Sequence, residues 1–553
     1  MGVKLRAFVA GAVGGVLAFG IAELVHGLYQ LVPSVFVALA QAIVKLTPGS
    51  LVTQGIEILG QADIPVLVAC LVVGALVVSG LLGYLGTRSP FAALAGVVIL
   101  GGIAIAAAFS EPFVAPVVTV ATIVGALAAG TATSGFLLHS SALTGETTAS
   151  GGESRGSSEA QPSGSVRSRE AHSEGGIAVD RRNFLLLSGS AAAAGLAAVG
   201  IGRVLAGDGA VGGASAPKSL NLSGSSGGST SGGTTGVQNR TLPPPPDAAS
   251  IDVEGMPPLI TPAKDFYLID TALSSPKINV DQWSLTVKGS GVNNPLELSY
   301  KDLQSMSTRE SDVTLSCVSN EVGGGLVSNG RWTGVMLSDV LKEAGVDPNG
   351  LNKSSEQLVG RSVDGWTGGF KTEIAFDGRE ALVAFGMNGS ELPVSHGFPV
   401  RLVVPGLYGY VSATKWLTEI ELTDWDFDAY WIQRTWSKEG PVKTQSRIDT
   451  VKGKENLSTG TVPVGGVAWA PHRGISKVEV STDGGETWNE ARLAEQLDED
   501  SWRHYVYEWD AKPGDHTLRV RATDGDGQTQ TDEKTPPHPG GATGYHTKEV
   551  SVA

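Results

Sequence analysis

Five stretches of this 553-residue chain are long and apolar enough to span a bilayer, and all of them lie before residue 207. They cover roughly 7–28, 64–86, 92–109, 113–138 and 184–206, against the roughly 20 residues that a helix needs to cross a hydrocarbon core. A shorter apolar segment, 32–46, ends in Lys45 and reads as interfacial or re-entrant. Positive charge orients the spans. Lys4 and Arg6 precede the first, and Arg88 separates the second from the third. Arg155, Arg167, Arg169, Arg181 and Arg182 lie between the fourth and fifth. All three groups fall on one side if the N-terminus is cytoplasmic, and the fifth span then delivers everything after about residue 207 to the outside. The expectation is a multi-pass protein of the cell membrane with an extracytoplasmic second half.

The fifth span begins unusually. "DRRNFLLLSGSAAAAGLAAVGIG" sets Arg181-Arg182 before a soft, Gly/Ala-rich apolar core. It resembles a twin-arginine export signal, here internal, a route that suits a domain loaded with cofactor before export. An ordinary positive-inside anchor is the alternative. Ala214-Ser215-Ala216 is a candidate cleavage site. His26 and His139 fall at opposite faces in this topology, so no haem pair is expected between spans. Glu23 is the clear acidic residue near mid-depth, a functional flag by default, although a glutamate near a helix end also snorkels. The first four spans, 1–138, read as an anchor or docking platform. Residues 139–183 are expected to be a flexible cytoplasmic linker and 207–250 a second one. Both are rich in Gly and Ser and poor in the apolar residues that a core requires.

The net charge of −15 falls entirely after residue 239. An acidic surface argues against nucleic acid as a partner. From about 251 the texture is that of a mixed α/β domain. "WSLTVKG" alternates Trp283, Leu285 and Val287 as a strand does, and "SYKDLQSM" has a Ser cap and helical spacing. "WTGVMLSDVLKEAGV" starts extended and then offers Ser338 as the cap of a short helix ending at Gly345. "FPVRLVVPG" is a strand stopped by Pro405-Gly406. Past about 440 short alternating strands take over. Asp483-Gly484-Gly485 marks a hairpin turn, and Leu518, Val520 and Ala522 share a face, which is the pattern of a β-sandwich. Two cysteines exist, Cys70 and Cys317. Cys70 lies in an apolar stretch and is expected to pack. Cys317 stands beside a glycine-rich loop in "TLSCVSNEVGGG", where a buried spare thiol and a metal ligand are both open.

The motifs "DFYLIDT", "LSCVSNEVGG", "RWTGVML", "VDGW", "MNGSELPVSHGFPVRLVVPGLYGYVSATKW", "YWIQRTW" and "GGVAWAPHRGISKVEVSTDGGETW" run from about 255 onward. In combination they resemble the sulfite oxidase family of molybdopterin-dependent oxidoreductases. The resemblance implies three parts: N-terminal transmembrane helices, an α/β (α+β) molybdopterin domain at 251–437, and an all-β immunoglobulin-like domain at 438–553, often used for dimerisation. It implies a molybdenum–molybdopterin cofactor with Cys317 as the metal ligand. A soft thiolate suits such a centre. It places His396, Arg401, Ser412, Thr414 and Lys415 at the pterin phosphate, where arginine makes bidentate contacts and lysine adds a point charge. Asp364, and Tyr267, Asp270 and Thr271 of "FYLIDT", match other cofactor-lining positions.

The departures bear on substrate. Sulfite oxidases surround their dianion with arginines. Two of the matching positions hold Ile269 and Val322, and Arg473 matches a third, from the second domain. Glu321 and Trp366 stand nearby with no role assigned. The expectation is an oxidoreductase moving an oxygen atom to or from a small substrate less charged than sulfite. Its electrons would pass to or from a separate carrier: a cytochrome, a cupredoxin or a quinone-linked protein. The rivals are a reductase of sulfoxides and a non-catalytic membrane-tethered binding module. "HPGG" at 538–541 resembles a haem-binding signature, but the expected second domain closes there, so no haem is expected. Trp425, Trp431 and Trp436 read as domain-interface core.

Overall fold

The computed structural model describes residues 3–29, 31–48, 51, 55, 63–111, 114–146, 181–206, 239–272 and 275–553. Most of both expected linkers, with Arg155, Arg167, Arg169 and the Ala214-Ser215-Ala216 triplet, lies outside the described residues. The chain divides into two compact units, one of residues 1–48 and 54–213 and one of 49–53 and 214–553.

The first unit is helical: α1 (Val3–Leu28), α2 (Val35–Leu46), α3 (Asp63–Gly86), α4 (Pro90–Ala108), α5 (Pro116–Glu146) and α6 (Arg181–Ala206). By length and composition, five of these described helices suffice to cross a membrane, and α2 is the shorter apolar one. Glycine decides how they pack. A Cβ at Gly11 of α1 would sit 2.3 Å from the Ser79 carbonyl of α3, and one at Gly14 would sit 2.4 Å from the Gly130 carbonyl of α5. On the α6 side, Gly20 and Gly27 would meet the carbonyls of Gly195 and Gly202 at 2.4 and 2.2 Å. Backbone therefore lies on backbone, the close approach that small residues permit between apolar helices. Glu23 is buried, and the Ser34 hydroxyl donates to its carboxylate at 2.8 Å. Cys70 does not pack as expected: it is exposed on α3. A helix apolar all round gives no sign of which face a neighbour will cover.

The second unit opens with two sheets. Their strands are β1 (Ser284–Gly289), β2 (Leu296–Ser299), β3 (Thr308–Ser316), β4 (Val327–Met336), β5 (Gln357–Ser362), β6 (Thr367–Lys371), β7 (Leu382–Met387), β8 (Ser390–Glu391), β9 (Arg401–Val403) and β10 (Leu417–Thr423). One sheet has the order β2-β1-β10-β5-β6, the other β3-β4-β7-β8, with β9 on β7. Trp283, Leu285 and Val287 bury one face of β1, as their alternation predicts. Ser299 and Asp302 form a capping box on the helix Tyr300–Ser305. The helix Leu337–Glu343 departs from expectation. Ser338 sits inside its first turn, and no side chain caps it. The Leu337 N–H donates instead to the Ala381 carbonyl at 2.8 Å, so a neighbouring strand satisfies an end that a cap would otherwise serve.

Nine strands complete the unit: β11 (Gln445–Ile448), β12 (Glu455–Leu457), β13 (Gly460–Trp469), β14 (Ile475–Ser481), β15 (Asn489–Glu490), β16 (Arg492–Leu493), β17 (Arg503–Ala511), β18 (Gly514–Asp524) and β19 (His546–Val552). They form two sheets, β11-β13-β17-β16 and β12-β19-β18-β14-β15. Val464 and Tyr505 of one share a core with Val480, Leu518 and Val520 of the other. The β14–β15 hairpin turns through Asp483-Gly484-Gly485, both glycines at positive φ. This all-β part grips the preceding one directly: Trp502 Nε1 donates to Leu259 O at 2.8 Å, and Ser501 Oγ to Asp312 O at 2.9 Å.

Candidate functional site

The β3–β4 ladder is regular from Thr308↔Val335 to Ser316↔Val327. Cys317 is the first residue beyond it. Its N–H donates to Leu326 O at 2.9 Å, which closes the base of a loop over 317–326. The thiol is buried. Burial pushes its pKa up, and hydrogen bonds from the backbone and side chain of Ser319 oppose that rise. Left alone, the group is a neutral thiol, and a bound metal would have to displace its proton.

Around it the two sheets deliver charge. Arg401 begins β9, 5% exposed, and donates to the carbonyls of Leu402 and His396. Its guanidinium lies 4.9 Å from the ring centroid of the buried Trp332. No carboxylate of the described residues lies within ion-pairing distance of it, and burial lowers its pKa to about 10. Lys415, just before β10, pairs with Asp270 and donates to Ser395 O at 2.9 Å. Burial lowers its pKa to about 8 and pushes that of Asp270 up, their contact opposing both shifts. His396 is held by Ala263 O at 2.9 Å. Burial first, then Arg401 and Lys415, lower its pKa to about 4, so the ring is neutral at pH 7. Phe266 wedges edge-on against both Trp332 and His396.

The remaining expected residues are placed as follows. Tyr267 is within electrostatic reach of Cys317 and Arg401, and burial pushes its phenol well above the ordinary range. Asp364, in the β5–β6 turn, accepts from Trp366 N at 3.0 Å and is felt by Asp270 and Lys415. Thr271 is half-buried beside Asp270. Ser412 turns its hydroxyl to Tyr408 O at 3.0 Å, and Thr414 reaches Gly360 O at 3.5 Å, so both side chains serve local backbone. Arg473 is bonded to Asp524 at 3.0 Å and to Val442 O at 3.0 Å. It lines a cleft with Arg379, Trp425, Lys438 and His472. His538 lies edge-on to Trp436, at 5.1 Å between ring centroids, and His546 accepts from Ile448 N at 2.9 Å.

Sequence reasoning missed several neighbours. Tyr408, pushed up to about 12 by burial, lies within electrostatic reach of both Cys317 and Arg473. Ser319 was legible only as the second residue after the cysteine. A cleft of about 410 Å³ beside the loop is lined by Glu321, Val322, Lys534, Tyr545 and His546 among others.

These residues fit an anionic cofactor. A buried guanidinium without a carboxylate, a buried ammonium and a neutral imidazole suit a phosphate. Among the described residues no three His, Cys, Asp or Glu side chains converge as a metal cage. A metal at Cys317 would therefore take further ligands from the cofactor itself.

Comparison with known proteins agrees. Residues 272–431 match the oxidoreductase molybdopterin binding domain, and residues 438–535 the Mo-co oxidoreductase dimerisation domain. The chain is 30% identical over 293 residues to human mitochondrial sulfite oxidase, covering 44% of this chain and 51% of that protein. It is 27% identical over 301 residues to the Arabidopsis thaliana sulfite oxidase, covering 45% and 76%. The chain thus spans about half the length of the mammalian relatives it matches. Among solved structures, the sulfane dehydrogenase SoxCD of Paracoccus pantotrophus matches at 23% identity and TM-score 0.46, over 54% of this chain and 82% of that one.

Proposed function

Because the chain belongs, through residues 272–535, to the sulfite oxidase family of molybdopterin-dependent oxidoreductases, we propose that it is a membrane-anchored, extracytoplasmic enzyme exchanging an oxygen atom with a small substrate less charged than sulfite. The buried Cys317 and the buried Arg401, both within electrostatic reach of Tyr267, with Lys415 and His396 beside Arg401, carry this reading. When bound, the cofactor supplies oxygen-atom exchange coupled to a two-electron change at the metal. The chain's own residues hold and polarise. Cys317 would bind the metal as thiolate, while Arg401 and Lys415 would hold the pterin phosphate. Tyr267 and Tyr408 keep their protons at neutral pH, because burial raises both phenols, and so do not act as bases.

The substrate reading rests on Ile269 and Val322. Ile269 is 42% exposed next to the pairing Asp270, and Val322 lines the cleft beside the loop. Neither side chain offers a dianion the charged hydrogen bonds that arginine would. Five apolar helices and the arginines before α6 support the anchor and an outward-facing second half. The dimerisation-domain match supports a homodimer through 438–553. The electrons leave to or arrive from a separate carrier.

The test is the full chain purified in detergent, assayed for molybdenum and pterin, with sulfite oxidation measured beside sulfoxide reduction. Cys317→Ala is expected to fold but to lose metal and activity. Full activity in that variant sinks the mechanism, and sulfite oxidation far faster than any sulfoxide turnover sinks the substrate reading.

A further inference from the structure

We propose that Arg447 and His546 of the C-terminal all-β domain are positioning residues for the metal-binding thiolate, gripping the 317–326 loop from outside the cofactor domain. This rests on the reading of Cys317 as the metal ligand. The loop ties down its own base. Cys317 N–H donates to Leu326 O at 2.9 Å, Leu326 N–H to Asn320 Oδ1 at 2.8 Å, and Asn320 N–H to Cys317 O at 3.1 Å. Its glycine tip makes no such cross-links to its own base. Gly324 N–H reaches only as far as Glu321 O, at 2.9 Å.

The tip is held by the second domain. Arg447 Nη1 donates to Gly324 O at 2.8 Å, while its Nε is fixed on Asp449 Oδ1 at 2.7 Å. That side chain is only 12% exposed, so the bond is shielded from water. The His546 ring lies flush on Gly323. A Cβ there would come within 2.2 Å of ring carbon Cδ2, and Gly323 holds φ +77. Only glycine meets both demands. The ring is itself locked, because its Nδ1 accepts from Ile448 N at 2.9 Å. Burial lowers its pKa to about 4, so it stays neutral, with its hydrogen on Nε2.

Arg447 and Ile448 belong to β11 and His546 opens β19, so the two grips come from different sheets. A tip pinned at Gly323 and Gly324, with the base closed at Leu326, leaves Cys317 little freedom to swing. A rigid supporting shell of this kind tunes a metal's first ligand. The second domain therefore does more than join protomers: it completes the mount of the thiolate.

The experiment uses the full chain with Arg447→Met and Arg447→Lys. Hydrogen exchange is followed on peptides covering 317–326 in cofactor-free protein. The sulfur-to-metal charge-transfer absorption is recorded in loaded protein. Arg447→Met is expected to speed exchange in the loop by about tenfold, the scale of one lost charge-assisted hydrogen bond. Exchange in β13 and β17 should be unchanged and the absorption band should shift, with Arg447→Lys recovering part of both. Unchanged loop exchange with an unchanged band overturns the proposal. So does exchange accelerated equally throughout the all-β domain, which marks a merely structural residue. If Arg447→Met does not fold, Asp449→Asn, which frees the guanidinium, carries the same readouts. Metal retained in Cys317→Ala sinks the ligand assignment instead, and leaves the exchange result readable.

Discussion

Arg401 brings a full charge into a place where the carboxylate that acts on it, Asp270, is ion-paired to Lys415 instead. It is 5% exposed, and its donors go to the carbonyls of His396 and Leu402. A buried unpaired charge is unfavourable until something anionic arrives. The two states of the protein should therefore respond in opposite directions to its removal. Arg401→Met is expected to raise the Tm of cofactor-free protein by roughly 2–4 °C, about 1 kcal/mol for a domain of this size. The same variant should lower pterin occupancy by about tenfold. Calorimetry beside pterin assay checks both, and a variant that loses stability without cofactor refutes the phosphate role. Cys317, His396, Arg401 and Lys415 stood out in the sequence because each sits in a motif whose chemistry is specific, and in the fold the first three are buried and Lys415 nearly so. Ser412 and Thr414 belong to the same motif, yet their hydroxyls serve Tyr408 O and Gly360 O. Motif position selects a neighbourhood; it does not fix which way a rotor points.

At the scale of elements, α3, α5 and α6 all pack on α1, and its glycines are why. Gly11 and Gly14 meet α3 and α5, while Gly20 and Gly27 meet α6. A Cβ at Gly202 of α6 would lie 2.3 Å from the Glu23 carbonyl, whereas Gly200 has open space within 4 Å. Gly202→Val should therefore pry α6 from α1 and destabilise the bundle by about 1–3 kcal/mol, while Gly200→Ala should be neutral or slightly stabilising through helix propensity. Thermal unfolding of the full chain in detergent separates them, and equal melting temperatures contradict the packing. The five apolar helices were plain from hydropathy, but which faces touch was not, since apolar helices carry no polar face to point outward. In the second unit, period-2 alternation located β1 and β18 because each buries one side. Ser338 misled because the helix begins one residue earlier, at Leu337, whose N–H is satisfied by Ala381 O, a partner 44 positions away in sequence.

At the scale of the whole second unit, the sequence changes texture near 437, but it gives no sign of the seam that joins the two parts. There the segment 498–502 inserts against β3. Thr314 N–H donates to Asp500 O at 3.0 Å, and Trp502 N–H to Thr314 Oγ1 at 2.7 Å. The seam carries a cost. The Asp500 carboxyl is 3% exposed, with Oδ1 unpartnered and His472 Nδ1 3.9 Å away. Burial, with Asp498 and Glu499 beside it, raises its pKa to about 8, opposed by the His472 N–H and by Arg379. A carboxyl raised on folding binds more protons folded than unfolded, so it withdraws stability as pH rises from about 4 through 8. Three buried histidines act at the other end. His396, His504 and His546, each lowered to about 4 by burial, bind fewer protons folded than unfolded. They withdraw stability as pH falls from about 6.5 toward 4. The unit should thus be most stable near pH 6 to 7 and lose ground on both sides. Asp500→Asn isolates the alkaline arm. Asparagine keeps an acceptor for the His472 N–H and removes the charge, so it should stabilise the protein by about 1–3 kcal/mol at pH 8.5, by less at pH 6, and not at all below pH 4. Denaturation of the full chain and its Asp500→Asn variant across that range decides it. A stabilisation independent of pH would place the effect in packing rather than in the buried charge.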